Sequence, residues 1–237
     1  MIKQKLSICI IFMFTLTLSI YGQNAINGYD SDGKRHGLWE KYYNKTKQLR
    51  YSGQFKHGKE IGIFKFYTLN KGKSVLIATK QFNPDNNIAE VKFFSSTGKL
   101  ISEGKMNGKR YMGDWVFYHN KNDVIMTKEY YNNQGLLDGE KVVYYTNGKV
   151  AERSNFKNGK LNGENLIYSE QGVLLKSFQY DNDQLHGPVK YFDAEGKPLA
   201  EGEYKRDRKH GFWKYYKNGK LVEEKDHTRR SKNPNKN

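Results

Sequence analysis

Short segments in which apolar and polar residues alternate recur at a nearly constant interval along this chain. In GFWKYYK, at 211–217, the second and fourth residues after the opening glycine are large and apolar. We call that opening residue the anchor. Alternation with a period of two predicts β-strands with two unlike faces, and no helical period fits segments this short. Eight anchors follow one another at intervals of 24–27 residues: Gly37, Gly62, Ala89, Gly113, Gly139, Gly163, Gly187 and Gly211.

Two rows of side chains repeat with the anchors. The second position holds Trp39, Phe64, Val91, Trp115, Val189 and Trp213, with Lys141 and Asn165 as exceptions. The fifth position is aromatic in all eight units: Tyr42, Tyr67, Phe94, Tyr118, Tyr144, Tyr168, Phe192 and Tyr216. Because successive side chains of a strand point to opposite faces, the two rows lie on opposite sides of the sheet. One row packs the sheet, and the sequence does not decide which.

Turn residues separate the strands. The Asn-Gly at 147–148 and 218–219 predicts a tight type I′ turn after the first strand of a unit. A second strand follows, and a looser turn such as KNGKLNG leads to the next anchor. Each unit is therefore a β-hairpin that packs on its neighbours. The predicted fold is all-β, an elongated single-sheet array of about eight tandem hairpins of about 24 residues, filling residues 24–226.

A family resemblance follows from the residues of this repeat. The motif in GFWKYYKNGKL at 211–221, followed by a second strand and a turn such as NGKLNG, resembles the MORN repeat variant. The resemblance covers nearly all of the predicted mature chain and implies an array of short hairpins that contact proteins or membranes. Bacterial proteins of this kind are often assigned to toxin–antitoxin systems as antitoxins, although ordinary antitoxins are cytoplasmic.

The two ends of the chain have a different composition. Lys3 and Lys5 precede an uncharged, mostly apolar run from Leu6 to Tyr21, which predicts a signal peptide over residues 1–23. The alternative is an uncleaved anchor, for which a run of 16 residues is short. Export would place the mature protein in the periplasm, at the cell surface or outside the cell. Residues 227–237 are polar and basic, and they predict a disordered tail.

Charge and cysteine content narrow the classes of function. Without Lys3 and Lys5 the chain has 39 basic and 25 acidic residues, a formal charge of +14. Such a field attracts anionic surfaces, although many of these lysines lie in turns. Nucleic acid is not expected as a partner of an exported protein. Cys9 is the single cysteine, so the predicted mature chain has no thiol chemistry.

Candidate chemistry is sparse. His36, His186 and His210 each precede an anchor, and equivalent residues of adjacent hairpins lie about 10 Å apart, too far for one zinc ion. Glu90, Asp114, Glu140 and Glu164 each follow an anchor, where the repeat gives every copy the same surroundings. A catalytic pair needs two different environments. We therefore expect no catalytic residue, metal or cofactor, and no small-molecule substrate.

The sequence predicts a non-enzymatic, exported scaffold that binds a protein partner, in an antitoxin- or immunity-like role. The alternative is binding to an anionic membrane or lipopolysaccharide surface through basic and aromatic rows. A hydrolase would require a non-repeating polar cluster, and the sequence does not suggest one. The candidate binding residues are Trp39, Trp115, Trp213, Tyr42, Tyr118, Tyr144, Tyr216, Arg229 and Arg230.

Overall fold

The computed structural model describes residues 26–120 and 122–228, which form one antiparallel sheet of 17 strands. The predicted signal peptide, Arg229 and Arg230 lie outside the described residues. No helix in the described ranges is long and apolar enough to cross a membrane. The strands are β1 Gly37–Tyr42, β2 Leu49–Lys56, β3 Lys59–Asn70, β4 Lys73–Phe82, β5 Ile88–Phe94, β6 Leu100–Asn107, β7 Arg110–Tyr118, β8 Ile125–Tyr131, β9 Gly139–Tyr144, β10 Val150–Lys157, β11 Lys160–Tyr168, β12 Leu174–Asp181, β13 Gln184–Leu185, β14 Gly187–Phe192, β15 Pro198–Lys205, β16 Arg208–Lys217 and β17 Lys220–Asp226.

Strand order in the sheet follows the chain, as a row of hairpins requires. Apart from the short β13, each strand pairs with the next, from β1 with β2 to β16 with β17. The two-residue β13 pairs with the end of β12, which also pairs with β14, so β13 and β14 together replace one full strand. The predicted all-β array of tandem hairpins in a single sheet is confirmed.

A β-bulge recurs at the same place in all eight hairpins. Tyr118 pairs with Ile125, and the preceding Phe117 pairs with Thr127, so Met126 is the extra residue of its strand. The extra residues of the eight units are Arg50, Ile77, Ile101, Met126, Ala151, Leu175, Leu199 and Val222. A bulge bends and twists its strand locally, so the repeat carries a fixed local bend in every unit.

The sequence predicted tight turns within repeats and looser turns between them, and the structure largely shows the reverse. At 147–148 only Gly148 has a positive φ, so that turn is not of type I′, whereas Asn218 (50°) and Gly219 (75°) fit the prediction. Most of the tight turns with two positive φ values lie between repeats, as at Asn158 (50°) and Gly159 (84°). Within most repeats the turn is longer, because the residue that opens it accepts backbone N–H groups: Asp193 Oδ1 lies 3.0 Å from the nitrogen of Glu195.

Most of the core lies on one face of the sheet. We call this the Trp face, meaning the second and fourth positions after each anchor and the residues paired with them. Trp115 is 0% exposed and Trp213 1%, and a core cluster forms around Trp115 from Ala89, Val91 and Met106. Burying an aromatic side chain of this size removes about 150–250 Å² from water, worth about 4–6 kcal/mol.

Glycines make room for the large rings of the Trp face. A Cβ atom at Gly104 would lie 2.5 Å from the ring of Trp115, and one at Gly202 would lie 2.5 Å from that of Trp213. Gly53 has the same relation to Phe64. Each ring therefore covers the backbone of the strand before it, which allows a sheet one layer thick to bury large side chains.

Candidate binding surface

The opposite face is the more accessible one. We call it the Tyr face, meaning the first, third and fifth positions after each anchor and the residues paired with them. The predicted binding residues divide between the faces. Trp115 and Trp213 belong to the core. The sequence had left open which of the two rows packs the sheet, and the structure shows that it is the row of these tryptophans. Trp39 is half-buried, and its Nε1 donates a hydrogen bond to the oxygen of Gly28 at 3.1 Å.

The aromatic residues at the fifth position lie on the Tyr face, and several of them contact residues of their own or the neighbouring hairpin. The hydroxyl of Tyr118 donates to Glu103 Oε1 at 2.6 Å, and that of Tyr216 donates to Glu201 Oε1 at 2.7 Å. Tyr42, which is 41% exposed, donates to Glu40. Lys128 Nζ lies 5.9 Å from the ring centre of Tyr144. These hydroxyl groups and rings thus take part in contacts within the sheet, and the rings remain partly accessible.

A groove of about 480 Å³ crosses β3 to β7 on the Tyr face. We call it the central groove. Its apolar lining includes Ile63, which is 55% exposed, and Val116. Its charged lining consists of three lysines, Lys65, Lys92 and Lys105, and three acidic residues, Glu90, Glu103 and Asp114. Charge is therefore balanced within the groove, although the whole chain is strongly basic.

One carboxylate of the groove is fixed by two neighbours. Glu103 accepts the hydroxyl of Tyr118, and its Oε2 lies 3.1 Å from Nζ of Lys92. The hydrogen bond from Tyr118 and the bond and charge of Lys92 hold the pKa of Glu103 below its usual value. The same bond raises the pKa of Tyr118 to about 12. Glu103 is therefore ionised at neutral pH, and the central groove presents a fixed negative charge beside a positive one.

The sequence did not single out most of the groove residues. Ile63, Lys65, Lys92 and Val116 occupy first and third positions, which vary from one repeat to the next. The repeat frame already put these positions on one face. The signal that could have identified the groove residues was their variation between repeats. Core positions keep the same type of residue in each repeat, whereas positions that bind a partner can differ.

The apolar row of the Trp face is interrupted by a polar cluster. Lys141 Nζ lies 3.1 Å from Glu129 Oε1, and Asn165 Nδ2 lies 2.9 Å from Ser154 Oγ and 2.6 Å from Glu152 Oε1. Ser154 and Asn165 are nearly fully buried. The expectation that the chain has no non-repeating polar cluster is wrong. In these two repeats, hydrogen bonds and an ion pair between polar side chains take the place of the apolar packing that tryptophan provides elsewhere.

Some lysines in the turns make hydrogen bonds within the protein. Lys149 Nζ donates to the oxygen of Gln171, in the turn of the following hairpin, at 2.8 Å. Lys99 Nζ does the same with the oxygens of Asn120 and Asn122. These lysines join successive turns along one margin of the sheet, so their recurrence follows from the repeat and need not reflect an anionic ligand.

The repeat pattern and the single-layer hairpin array define a β-hairpin repeat protein. Residues 137–158 and 185–206, each one hairpin long, match the model of the MORN repeat variant family. These two hairpins are therefore MORN-type repeats, as the resemblance implied. Repeats of this kind generally bind proteins or membranes and are in general non-catalytic. The comparison with curated proteins gives no match.

Proposed function

We propose that this protein is an exported scaffold whose central groove binds a protein partner. The observation that carries the proposal is the composition of the groove. The exposed Ile63 and the half-buried Val116 lie among three lysines and three acidic residues. Interfaces between proteins combine apolar contact with charges of both signs, whereas attraction to an anionic surface needs a net positive patch. The groove suits the first kind of partner better.

The resemblance to antitoxins gives the proposal a more specific form. An exported protein in an immunity-like role would bind a toxic protein in the envelope and block it. Glu103 and Lys92, which hold each other 3.1 Å apart, would then pair with opposite charges of that protein. Such pairs fix the orientation of a complex and exclude wrong partners more than they add affinity. Binding would therefore be selective and would tolerate salt.

Affinity capture from the envelope fraction of the producing organism tests the proposal. The bait is residues 24–237, compared with Ile63→Glu and with Leu199→Glu as a matched control. Leu199 is also exposed, at 44%, but lies on β15, away from the groove. We expect one protein to be retained through high salt by the parent chain and by Leu199→Glu, and lost with Ile63→Glu.

Two results would contradict the proposal. Retention of the same protein by Ile63→Glu would place the contact outside the central groove. Capture of anionic lipid or glycolipid alone, lost as salt rises, would favour binding to an anionic membrane or lipopolysaccharide surface, because exposed charge attraction is screened.

A further inference from the structure

Three potential metal ligands meet at the start of the array, outside the repeat pattern. Asp30 and His36 lie in the segment 26–36, which precedes β1, and His57 lies in the turn between β2 and β3. One ligand atom of each residue lies within 4.8 Å of the others. Nδ1 of His57 is 2.8 Å from Oδ2 of Asp30, and the two imidazole rings are 5.2 Å apart.

The local structure holds the carboxylate in place. Oδ1 of Asp30 accepts the backbone N–H groups of Asp32 at 3.0 Å and Lys34 at 2.9 Å, so Oδ2 is left facing His57. The hydrogen bond from Lys34 lowers the pKa of Asp30, with a smaller contribution from His57. The side chain of Asp30 is 9% exposed, whereas that of His57 is 60% exposed and can turn.

The backbone brings the two histidines together. The nitrogen of Gly58 donates to the oxygen of Arg35 at 2.8 Å, which ties the turn that contains His57 to the segment that contains His36. His57 has a φ of 48°, at the turn position where later repeats have Asn158 and Asn182. The prediction of no metal site compared histidines at equivalent positions of the repeat. That comparison omitted His57, which occupies a different position in the repeat.

The donor set fits one class of ion. Two imidazole nitrogens and one carboxylate oxygen suit divalent transition metals such as zinc, and they suit calcium or magnesium poorly. Ligand atoms around a tetrahedral zinc ion lie about 3.4 Å apart, given bonds of about 2.1 Å. Rotation of the exposed His36 and His57 side chains can close the observed separation of up to 4.8 Å.

We propose that Asp30, His36 and His57 bind one divalent transition-metal ion of the zinc class. The ion would pin the segment 26–36 to the β2–β3 turn. That segment also covers the outer edge of β1, where the nitrogen of Asn27 donates to the oxygen of Leu38 at 2.8 Å and Asn27 Oδ1 accepts the N–H of Glu40 at 2.9 Å. The metal thus stabilises the cap at the first edge of the sheet. The site is independent of the central groove.

Calorimetric titration of metal-free residues 24–237 with zinc chloride at pH 7.5 tests this proposal. His57→Asn keeps a residue that adopts a positive φ, as Asn158 does in its own turn. His36→Gln has a matched control in His210→Gln, which changes the histidine before the last anchor. We expect one zinc ion per chain, at least a tenfold loss of affinity in His57→Asn and His36→Gln, and less than a twofold change in His210→Gln.

A second readout separates metal binding from folding. Absorption of bound Co²⁺ reports the ligand environment directly, and circular dichroism at matched conditions checks that each variant is folded. Titration without saturable binding, or saturable binding that persists in both His57→Asn and His36→Gln, would overturn the proposal.

Discussion

At the scale of single residues, the pairing of an aromatic ring with a glycine explains how this sheet builds a core. Trp115 and Trp213 each cover a glycine of the preceding strand. In two repeats without the tryptophan, both positions of the pair hold polar residues that contact each other: Lys141 faces Glu129, and Asn165 faces Ser154. Two residues on neighbouring strands thus act as one unit, a relation that the search for single repeating positions did not reveal.

A methyl group at Gly104 tests this pairing. The added Cβ atom would lie 2.5 Å from the ring of Trp115, which is fully buried and cannot move aside. We expect Gly104→Ala to lower the free energy of unfolding by about 1–3 kcal/mol, as overpacking does in other cores. In a Trp115→Val background the same change should cost much less. Urea denaturation of the four chains measures the coupling, and additive effects would contradict the pairing.

A pH experiment tests the bond between Tyr118 and Glu103. The pKa of Glu103 is lowered in the folded protein, so its stabilising effect is present above the ordinary glutamate pKa and is lost as the pH falls through the folded value. Tyr118→Phe should therefore reduce stability by about 1 kcal/mol at pH 7 and by much less at pH 3.

The control for this experiment is Tyr144→Phe, at the same position of the fifth repeat. Within the described ranges, no carboxylate accepts a hydrogen bond from its hydroxyl. Its effect on stability should change little between pH 7 and pH 3. An equal pH dependence of the two variants, measured by urea denaturation, would show that Glu103 does not titrate through this bond.

At the scale of elements, the hairpin is a bulged unit with two kinds of turn. The sequence predicted the strands well, because alternation and aromatic spacing determine them. It assigned the turn types largely the wrong way round, since Asn-Gly occurs in both connections and the local side chains decide. The bulge was not predicted. Its signal is an extra residue in each second strand, which becomes visible once the pairing register is known.

Deletion of Ile101 tests the structural role of the bulge. This side chain is 37% exposed, so Ile101→Ala should change the free energy of unfolding by less than about 0.5 kcal/mol. Deletion removes the extra residue and pulls on the turn in which Ser95 and Lys99 are joined by a 2.7 Å hydrogen bond. We expect a loss of at least about 2 kcal/mol. Equal effects of substitution and deletion in urea denaturation would contradict a structural role for the bulge.

At the scale of the whole molecule, the two edges of the sheet differ. Residues 26–36 cover the edge of β1 through backbone and side-chain hydrogen bonds. At the other edge, all seven residues of β17 are exposed, and five of them are charged. Charged side chains are a common protection of open sheet edges against pairing with other chains. His227, the first residue of the predicted tail, still packs against Trp213 at 6.1 Å between ring centres.

The sequence predicted the hairpin repeat correctly, but it did not predict the two candidate sites that the repeat carries. The frame repeats, so eight aligned copies reveal it within one chain. The central groove and the site of Asp30, His36 and His57 depend on residues that differ between copies or lie outside them. Their proximity follows from strand register and from the path of the segment 26–36. The repeat pattern places the groove positions on one face, but it does not show which side chains meet there.

The central claim is that one face of the sheet is its core and the other face binds. Hydroxyl-radical footprinting of residues 24–237, read by mass spectrometry with and without the captured partner, tests both parts together. Our account predicts little modification of Trp115 and Trp213 in either state, and modification of Ile63 that falls at least severalfold when the partner is bound. Strong modification of both tryptophans in the free chain, or unchanged modification of Ile63 in the complex, would contradict it.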